Sequence, residues 1–401
     1  MDTMAHNGLT RAAVVAERVR QVLPEIADGA DDIERNGRVS AHILKRLEEA
    51  GAFRASVPLS LGGEGMSIGE VAGLIDEVAA ADASTAWHLM VAAGTQLITS
   101  RLPKASLRIF YANGPDTWAK AAASPKVVGI PVDGGYRLSG RWPLASGARE
   151  FDWISLGFFI RAEKGIRILP NGVPDMRVCL VPRGNVRVIE TWDSVGLRGT
   201  RSDDLEVDDL FVPEGWQGPF MGPSQLEEPE YIVGMPFCTG PHHCAVVTGV
   251  LRAAIADLAA ESLTRKPSFA PNSLMKDDAV FRTRFGEIAA GAEAVEAMAR
   301  RCIAILENCA AERRNVTPLE GGRLLAMESL IHHQATGLMD QILMLSGSGA
   351  VYSKHRQQRR WRDMRCVAQH VAANIGNYSI YADALIAEAA KVRAPAAGQV
   401  H

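Results

Sequence analysis

The chain has 401 residues, of which 47% are apolar and 22% charged, with a formal net charge of -3 at pH 7. That length supports two or three domains around a large shared core, and the composition is that of a globular protein. With no long basic run, the charge balance gives no reason to expect a polyanionic partner, so nucleic acid is not an expected substrate.

Met1 to Thr10 shows no positive segment followed by an apolar core, so no secretory signal is expected. No run reaches ~18 uninterrupted apolar residues, and no membrane span is expected either. The six cysteines (Cys179, Cys238, Cys244, Cys302, Cys309, Cys366) are scattered without a CxxC pair. They read as reduced core residues of a cytoplasmic protein.

The first ~115 residues carry the helical period. One amphipathic helix is predicted from Ala13 to Ile26. Ser40 is a plausible N-cap for the segment from Ala41 to Leu47, which Gly51 ends. Pro58 and Gly62-Gly63-Glu64-Gly65 break the pattern. Helix resumes at Ser67, with Val71, Leu74, Ile75 and Val78 as its buried stripe. A further apolar helix runs from Ser84 through Trp87 and His88 towards Leu97.

From about Asp116 the period changes to two. Asp133-Gly134-Gly135 is a hairpin turn signal. Short strands are predicted at Trp153–Ile160, Arg177–Val181, Val186–Ile189, Asp204–Val207 and Leu210–Val212. Pro213 to Pro236 reads as a connector. Long helices then return. One carries Leu251, Ile255 and Leu258; a second Ile288, Val295, Met298, Cys302, Ile305 and Cys309; a third Leu324, Met327, Ile331, Leu338, Ile342 and Leu345. A last helix is predicted through Arg359 to His370, on which Asp363, Val367, His370 and Asn374 would share one stripe. The order predicts a mainly α, α+β protein. An N-terminal helical domain (1–115) precedes a small central β-barrel or sandwich (116–225) and a C-terminal four-helix bundle (226–401).

Metal sites fail on geometry. His242-His243 and His332-His333 are adjacent pairs whose side chains diverge by ~100° on a helix, and there is no HExxH. No GxGxxG follows a strand, which argues against NAD(P)H binding in this chain.

Several local motifs, in this order, resemble those of the acyl-CoA dehydrogenase fold over nearly the whole chain. They are Gly51–Gly65, Asp82-Ala83-Ser84-Thr85-Ala86-Trp87, Gly140-Arg141-Trp142-Pro143-Leu144-Ala145-Ser146-Gly147, Trp192 through Ser202, and the late pair Arg362-Asp363. Dehydrogenases of the family carry a catalytic glutamate a little beyond that pair. Here Cys366 to Asn374 contains no carboxylate, and a substrate α-carbon cannot be deprotonated without a base. The Arg-Asp-then-His pattern resembles instead the two-component flavin monooxygenases of this fold, such as the oxygenase components of p-hydroxyphenylacetate hydroxylase and the dibenzothiophene monooxygenases.

The resemblance implies an enzyme that takes reduced flavin (FMNH2 or FADH2) from a separate NAD(P)H-dependent reductase. It would react the flavin with O2 through a flavin hydroperoxide and oxygenate a small aromatic or heteroatom-containing substrate. It also implies a homotetramer. His370 and Ser146 are the expected catalytic residues. Imidazole titrates near neutrality and suits proton management, and Ser146 would stand at the reactive edge of the ring. Trp142, Ser146, Gly147, Thr200 and Ser202 would flank the flavin. Arg265 would reach the flavin phosphate of a neighbouring subunit and Gly347 would approach it from the adjacent chain. Many phenol hydroxylases of this branch carry a further histidine where this chain has Gly94-Thr95-Gln96, so His88 is expected to face the substrate, with Asn374. Arg201 stands where relatives have glycine. The alternatives are a flavin oxidase or dehydrogenase of the same fold with a relocated base, and a non-catalytic flavin-binding protein.

Overall fold

The computed structural model describes residues 10–122, 126–147, 149–267 and 272–393. Residues 1–9 of the stretch searched for a signal, and the Ala-Pro-rich tail from residue 394, lie outside them. The N-terminal helices are α1 (Arg11–Arg20), α2 (Leu23–Asn36), α3 (Ala41–Glu49), α4 (Ile68–Ala81), α5 (Ala83–Thr99) and α6 (Lys104–Phe110). The single helix predicted over Ala13–Ile26 is therefore two. Pro24 sits in the first turn of α2, where its missing N–H costs nothing, but without that N–H it cannot bond the Arg20 carbonyl, so the hydrogen-bond ladder of α1 does not run on through it. The predicted cap at Ser40 forms, and the structure adds a second at Ser67. Ser40 accepts from the Ile43 N–H at 3.2 Å. Ser67 and Glu70 close a capping box on α4, an arrangement worth about 1 kcal/mol.

Eight strands follow: β1 (Ala119–Ala122), β2 (Val128–Val132), β3 (Gly135–Ala145), β4 (Trp153–Ile160), β5 (Met176–Pro182), β6 (Arg187–Ile189), β7 (Asp203–Pro213) and β8 (Gln217–Pro219). The sheet runs β6-β7-β3-β2-β4-β5-β8, with β1 parallel to β4. Its two halves join through the short parallel pairing of Val128 and Gly129 with Phe159 and Ile160. Leu138, Trp142 and Leu205 from one half and Ile154, Phe158 and Cys179 from the other close one apolar interior, a sandwich. The predicted strands at 204–207 and 210–212 are one strand with a bulge. Asp209 has φ 50, and its N–H donates to Ser139 Oγ at 2.9 Å where the register shifts. The connector after Pro213 contains β8 and one helical turn, α7 (Pro229–Ile232).

The C-terminal helices are α8 (Gly240–Ser262), α9 (Ala279–Ala311), α10 (Pro318–Leu345), α11 (Arg356–Val367) and α12 (Asn377–Arg393). The stretch Phe237–Ser262 is apolar enough by composition to cross a membrane, yet 67% of its most apolar window is buried inside the protein. It is a core helix. The stripe predicted to carry Asp363, Val367, His370 and Asn374 does not form, because α11 ends at Val367. The hydroxyl of Ser329, on α10, lies 3.0 Å from the carbonyl oxygens of both Ala372 and Asn374 and shares its one proton between them. Those contacts pull the chain off the helical path into a 3-10 turn at Val371–Ala373 before α12 starts.

Candidate active site

Three hydroxyls from two separated segments meet in the interior. Ser146 directly follows β3, and its Oγ lies 2.6 Å from Ser202 Oγ, which lies 2.7 Å from Thr200 Oγ1. Thr200 donates to the Leu197 carbonyl at 2.9 Å, and Trp87 Nε1 donates to Ser146 Oγ at 3.0 Å. Each hydroxyl has one proton. Since Thr200 spends its proton on a carbonyl, it accepts from Ser202, and Ser202 in turn accepts from Ser146. All three protons point away from Trp87, and Ser146 keeps one acceptor lone pair unfilled.

The same indole touches a group of imidazoles. Trp87 meets His243 and His370 edge-on, each with ring centroids 5.8 Å apart, while His243 and His370 stack at 3.9 Å and 24°. His243 stands in the first turn of α8. The Nδ1 of His370 accepts the Ala372 N–H at 3.2 Å, so its neutral ring carries the proton on Nε2. Burial, then the neighbouring His332, pull His370 down to about 4. The expected titration near neutrality is thereby corrected. His370 is a neutral donor at pH 7, because desolvation outweighs imidazole's ordinary affinity for a proton. His243 lies well below its ordinary value through burial and then the charges of His370, His332 and His242. His332, on α10, donates Nδ1–H to the Glu328 carbonyl at 2.7 Å, which leaves Nε2 a bare, buried acceptor. Burial pushes the Glu328 carboxyl up to about 8. Sequence reasoning missed His243 and His332. Adjacency in sequence counted against each pair as metal ligands, whereas the fold separates each pair and brings one member into the cluster. Among the described residues no group of three metal-type ligands forms.

The late Arg362-Asp363 pair holds the hydroxyl-bearing segment from outside. Asp363 Oδ1 accepts the Leu197 N–H at 2.7 Å, and Arg362 donates to the Val195 carbonyl at 2.8 Å and to Glu34 at 2.5 Å. A side chain at Gly196 would collide with the Arg362 carbonyl. Burial, then the nearby Asp82, raise Asp363 to about 7. His88 packs beneath this edge rather than beside His370. Its ring lies 2.6 Å from where a Cβ on Gly147 would stand, and its Nε2 is 3.4 Å from the Gly199 carbonyl. Burial, then Lys120, take His88 down to about 3. The wholly buried Lys120 donates to the His88 carbonyl at 2.8 Å and lies over the Phe151 ring.

Other expected site residues lie elsewhere. Trp142 is fully buried inside the sandwich and donates to the Gly157 carbonyl at 2.6 Å, so no face remains for a cofactor. The inward alternation of β3 places it there. Asn374 is exposed, its carboxamide accepting from the Gly376 N–H at 2.8 Å. Arg265 lies against Gly347, where an added Cβ would strike its guanidinium. At ~1.5 Å per residue, the length of α8 puts Arg265 roughly 30 Å from His243. Arg201 takes up a left-handed φ of 44, which explains why glycine suits that position, and pairs with Asp203 at 3.4 Å. It lines a surface groove of about 580 Å³ with Arg38, Arg149 and Glu190 that includes none of the hydroxyls or imidazoles.

The inner arrangement offers a flavin two polar contacts: an unfilled lone pair on Ser146 and a neutral imidazole donor on His370. The comparisons agree with the architecture. Residues 12–102 match the model for the acyl-CoA dehydrogenase N-terminal domain and residues 242–375 that for its C-terminal domain. The indole-3-acetate monooxygenase of Pseudomonas putida is 28% identical over 84% of this chain and 85% of its own. The FADH2-dependent resorcinol hydroxylase oxygenase component of a Rhizobium species is 27% identical over 89% and 90%. XiaF from a Streptomyces species, solved with FADH2 and glycerol, superposes with a TM-score of 0.84 over 94% and 96%, and at 22% identity this likeness shows the fold.

Proposed function

Because this chain belongs to the acyl-CoA dehydrogenase family, we propose that it is the oxygenase component of a two-component flavin-dependent monooxygenase, acting with reduced flavin and O2 on a small organic substrate. The single observation that carries the reading is His370. At the place where a dehydrogenase needs a carboxylate, the chain presents a neutral imidazole whose Nε2–H is fixed as a donor. A donor cannot remove a substrate proton, but it can hold an oxygen atom in place.

When bound, reduced flavin supplies the electrons that activate O2. Ser146, Ser202 and Thr200 would present a polar edge to the flavin, and their hydrogen-bond order keeps Ser146 in one orientation. Trp87 fixes the spacing between that edge and His370. The buried aromatic and imidazole rings exclude water from the space between. Arg265 and Gly347 lie far from this cluster within one chain, which supports their serving a neighbouring subunit of a homotetramer. A separate NAD(P)H-dependent flavin reductase delivers the reduced cofactor, and the assembly works in the cytoplasm.

The test is a reaction under 18O2 with NADH, a generic flavin reductase, and FAD or FMN, offering resorcinol and indole-3-acetate. One labelled oxygen in the product is expected. Reduction of bound oxidised flavin by substrate without O2, with no label incorporated, would identify the oxidase or dehydrogenase alternative and refute the proposal.

A further inference from the structure

We propose that Lys120 is a positioning residue: its buried amine holds the turn of α5 that carries Trp87 and His88 against the Ser146–Gly147 turn that follows β3. This rests on the monooxygenase reading only in taking that polar edge to face the flavin.

Lys120 stands in β1, which reads Ala-Lys-Ala-Ala and lies parallel to β4 with Ile154 in register beside it. A strand enclosed in this way ordinarily carries apolar side chains, yet Lys120 is 1% exposed. The titratable groups that face it are His88 on α5 and Glu150 on the turn after Gly147. His88 is neutral at pH 7, and Glu150 acts on the amine only through space. Among the described residues Lys120 forms no ion pair. Burial takes the amine from 10.5 down to about 7, with Glu150 pulling the other way. A buried amine with so little compensation lowers stability, and a methionine of similar length would fill the space without that penalty. What the amine does instead is grip both supports of Gly147. A Cβ on Gly147 would stand 2.6 Å from the His88 ring and 3.0 Å from the Phe151 ring, so the turn rests on these two rings. Lys120 Nζ donates to the His88 carbonyl at 2.8 Å and lies over the Phe151 ring, 4.5 Å from its centre. Phe151 is itself backed by Trp118, with ring centroids 4.3 Å apart. Trp87 precedes His88, Ser146 precedes Gly147, and the Trp87 indole N–H donates to Ser146 Oγ at 3.0 Å. One amine therefore braces the helix that carries this donor and the turn that carries its acceptor.

The experiment compares the full-length parent with Lys120→Met, both carrying 5-fluorotryptophan, with a Trp87→Phe spectrum to assign the Trp87 fluorine signal. Lys120→Met should move that signal and leave in place the signal of Trp361, which is anchored elsewhere on Asp340. In anaerobic calorimetry it should bind reduced FAD and reduced FMN about tenfold more weakly, the equivalent of one hydrogen bond. Yet at pH 7 it should unfold at a higher urea concentration than the parent, because the desolvated amine is gone. In the parent, the unfolded amine keeps its proton up to 10.5 and the folded one only up to about 7, so its stability rises with pH across that window. The variant should lack that rise. A residue that merely props the fold behaves otherwise, since its loss lowers stability and affinity together. A Lys120→Met protein less stable than the parent, an unmoved Trp87 signal, or reduced-flavin affinity within about twofold of the parent would each overturn the proposal. Label incorporation from 18O2 by the parent tests the oxygenase reading, and the fluorine and urea measurements need no flavin, so the two failures are distinguishable.

Discussion

The hydroxyl relay Ser146–Ser202–Thr200 makes a quantitative prediction. Ser202→Ala removes two short hydroxyl–hydroxyl contacts, of 2.6 and 2.7 Å, in a fully enclosed setting. At about 1 kcal/mol net for each, the variant should lose about 2 kcal/mol of stability. Ser146→Ala deletes the shared contact and also orphans the Trp87 N–H, for about 2–3 kcal/mol. Because both variants delete the Ser146–Ser202 contact, their costs should not add. The double variant should fall short of the sum by about 1 kcal/mol, the worth of that contact. Urea unfolding of the four proteins, followed by tryptophan fluorescence and circular dichroism, gives the cycle directly. Full additivity, or a Ser202→Ala protein as stable as the parent, would show that the hydroxyls are not hydrogen-bonded in series and would remove the orientation argument for Ser146.

Glu328 is held near 8, above its ordinary 4.5, by burial. The folded state therefore keeps a proton that the unfolded chain releases, and stability is lost as pH rises from about 4.5 through 8. Glu328→Gln should flatten the decline in urea midpoint between pH 6 and pH 8, and an unchanged slope would refute the burial argument. His242 runs the opposite way. Burial lowers it to about 4, so the unfolded chain takes up a proton below pH 6.5 that the folded chain refuses, at a cost approaching 1.36 kcal/mol per pH unit between about 6.5 and 4. His242→Leu should therefore make the protein less acid-sensitive over that window, read from the same midpoints. Asp363→Asn retains an oxygen for the Leu197 N–H and should keep flavin affinity. Asp363→Ala leaves that buried N–H unpaired, for about 1–3 kcal/mol, and should weaken flavin binding in a fluorescence titration.

Much of this architecture is legible in the chain because local chemistry decides it. Ser40 and the Asp133–Gly135 turn act within four residues, and the structure shows each where the pattern puts it. That Ser146, Thr200 and Ser202 serve one edge is implied by the family resemblance of the motifs after β3 and before β7, and not by local chemistry. Features set by distant partners are not legible. The turn that follows α11 depends on Ser329, which bonds carbonyls 43 and 45 residues later in the chain. The pairing of His243 with His370 depends on how α8 crosses the turn after α11. Trp142 illustrates the reverse error: a motif residue whose strand parity turns it inward, away from the edge that its neighbours form.

The Asp363 contact also bears on the order of events during synthesis. Leu197 and Asp363 are 166 positions apart in the chain. At about 5–20 residues per second, the ribosome needs roughly 10–30 s to pass from one to the other. Through that interval the segment from Trp192 to Ser202 has strands to pair with but no carboxylate to receive the Leu197 N–H. The contact that steadies this edge therefore forms only after residue 363 has left the ribosome, and a nascent chain stalled before that residue holds most of its sheet with the Leu197 N–H still lacking Asp363.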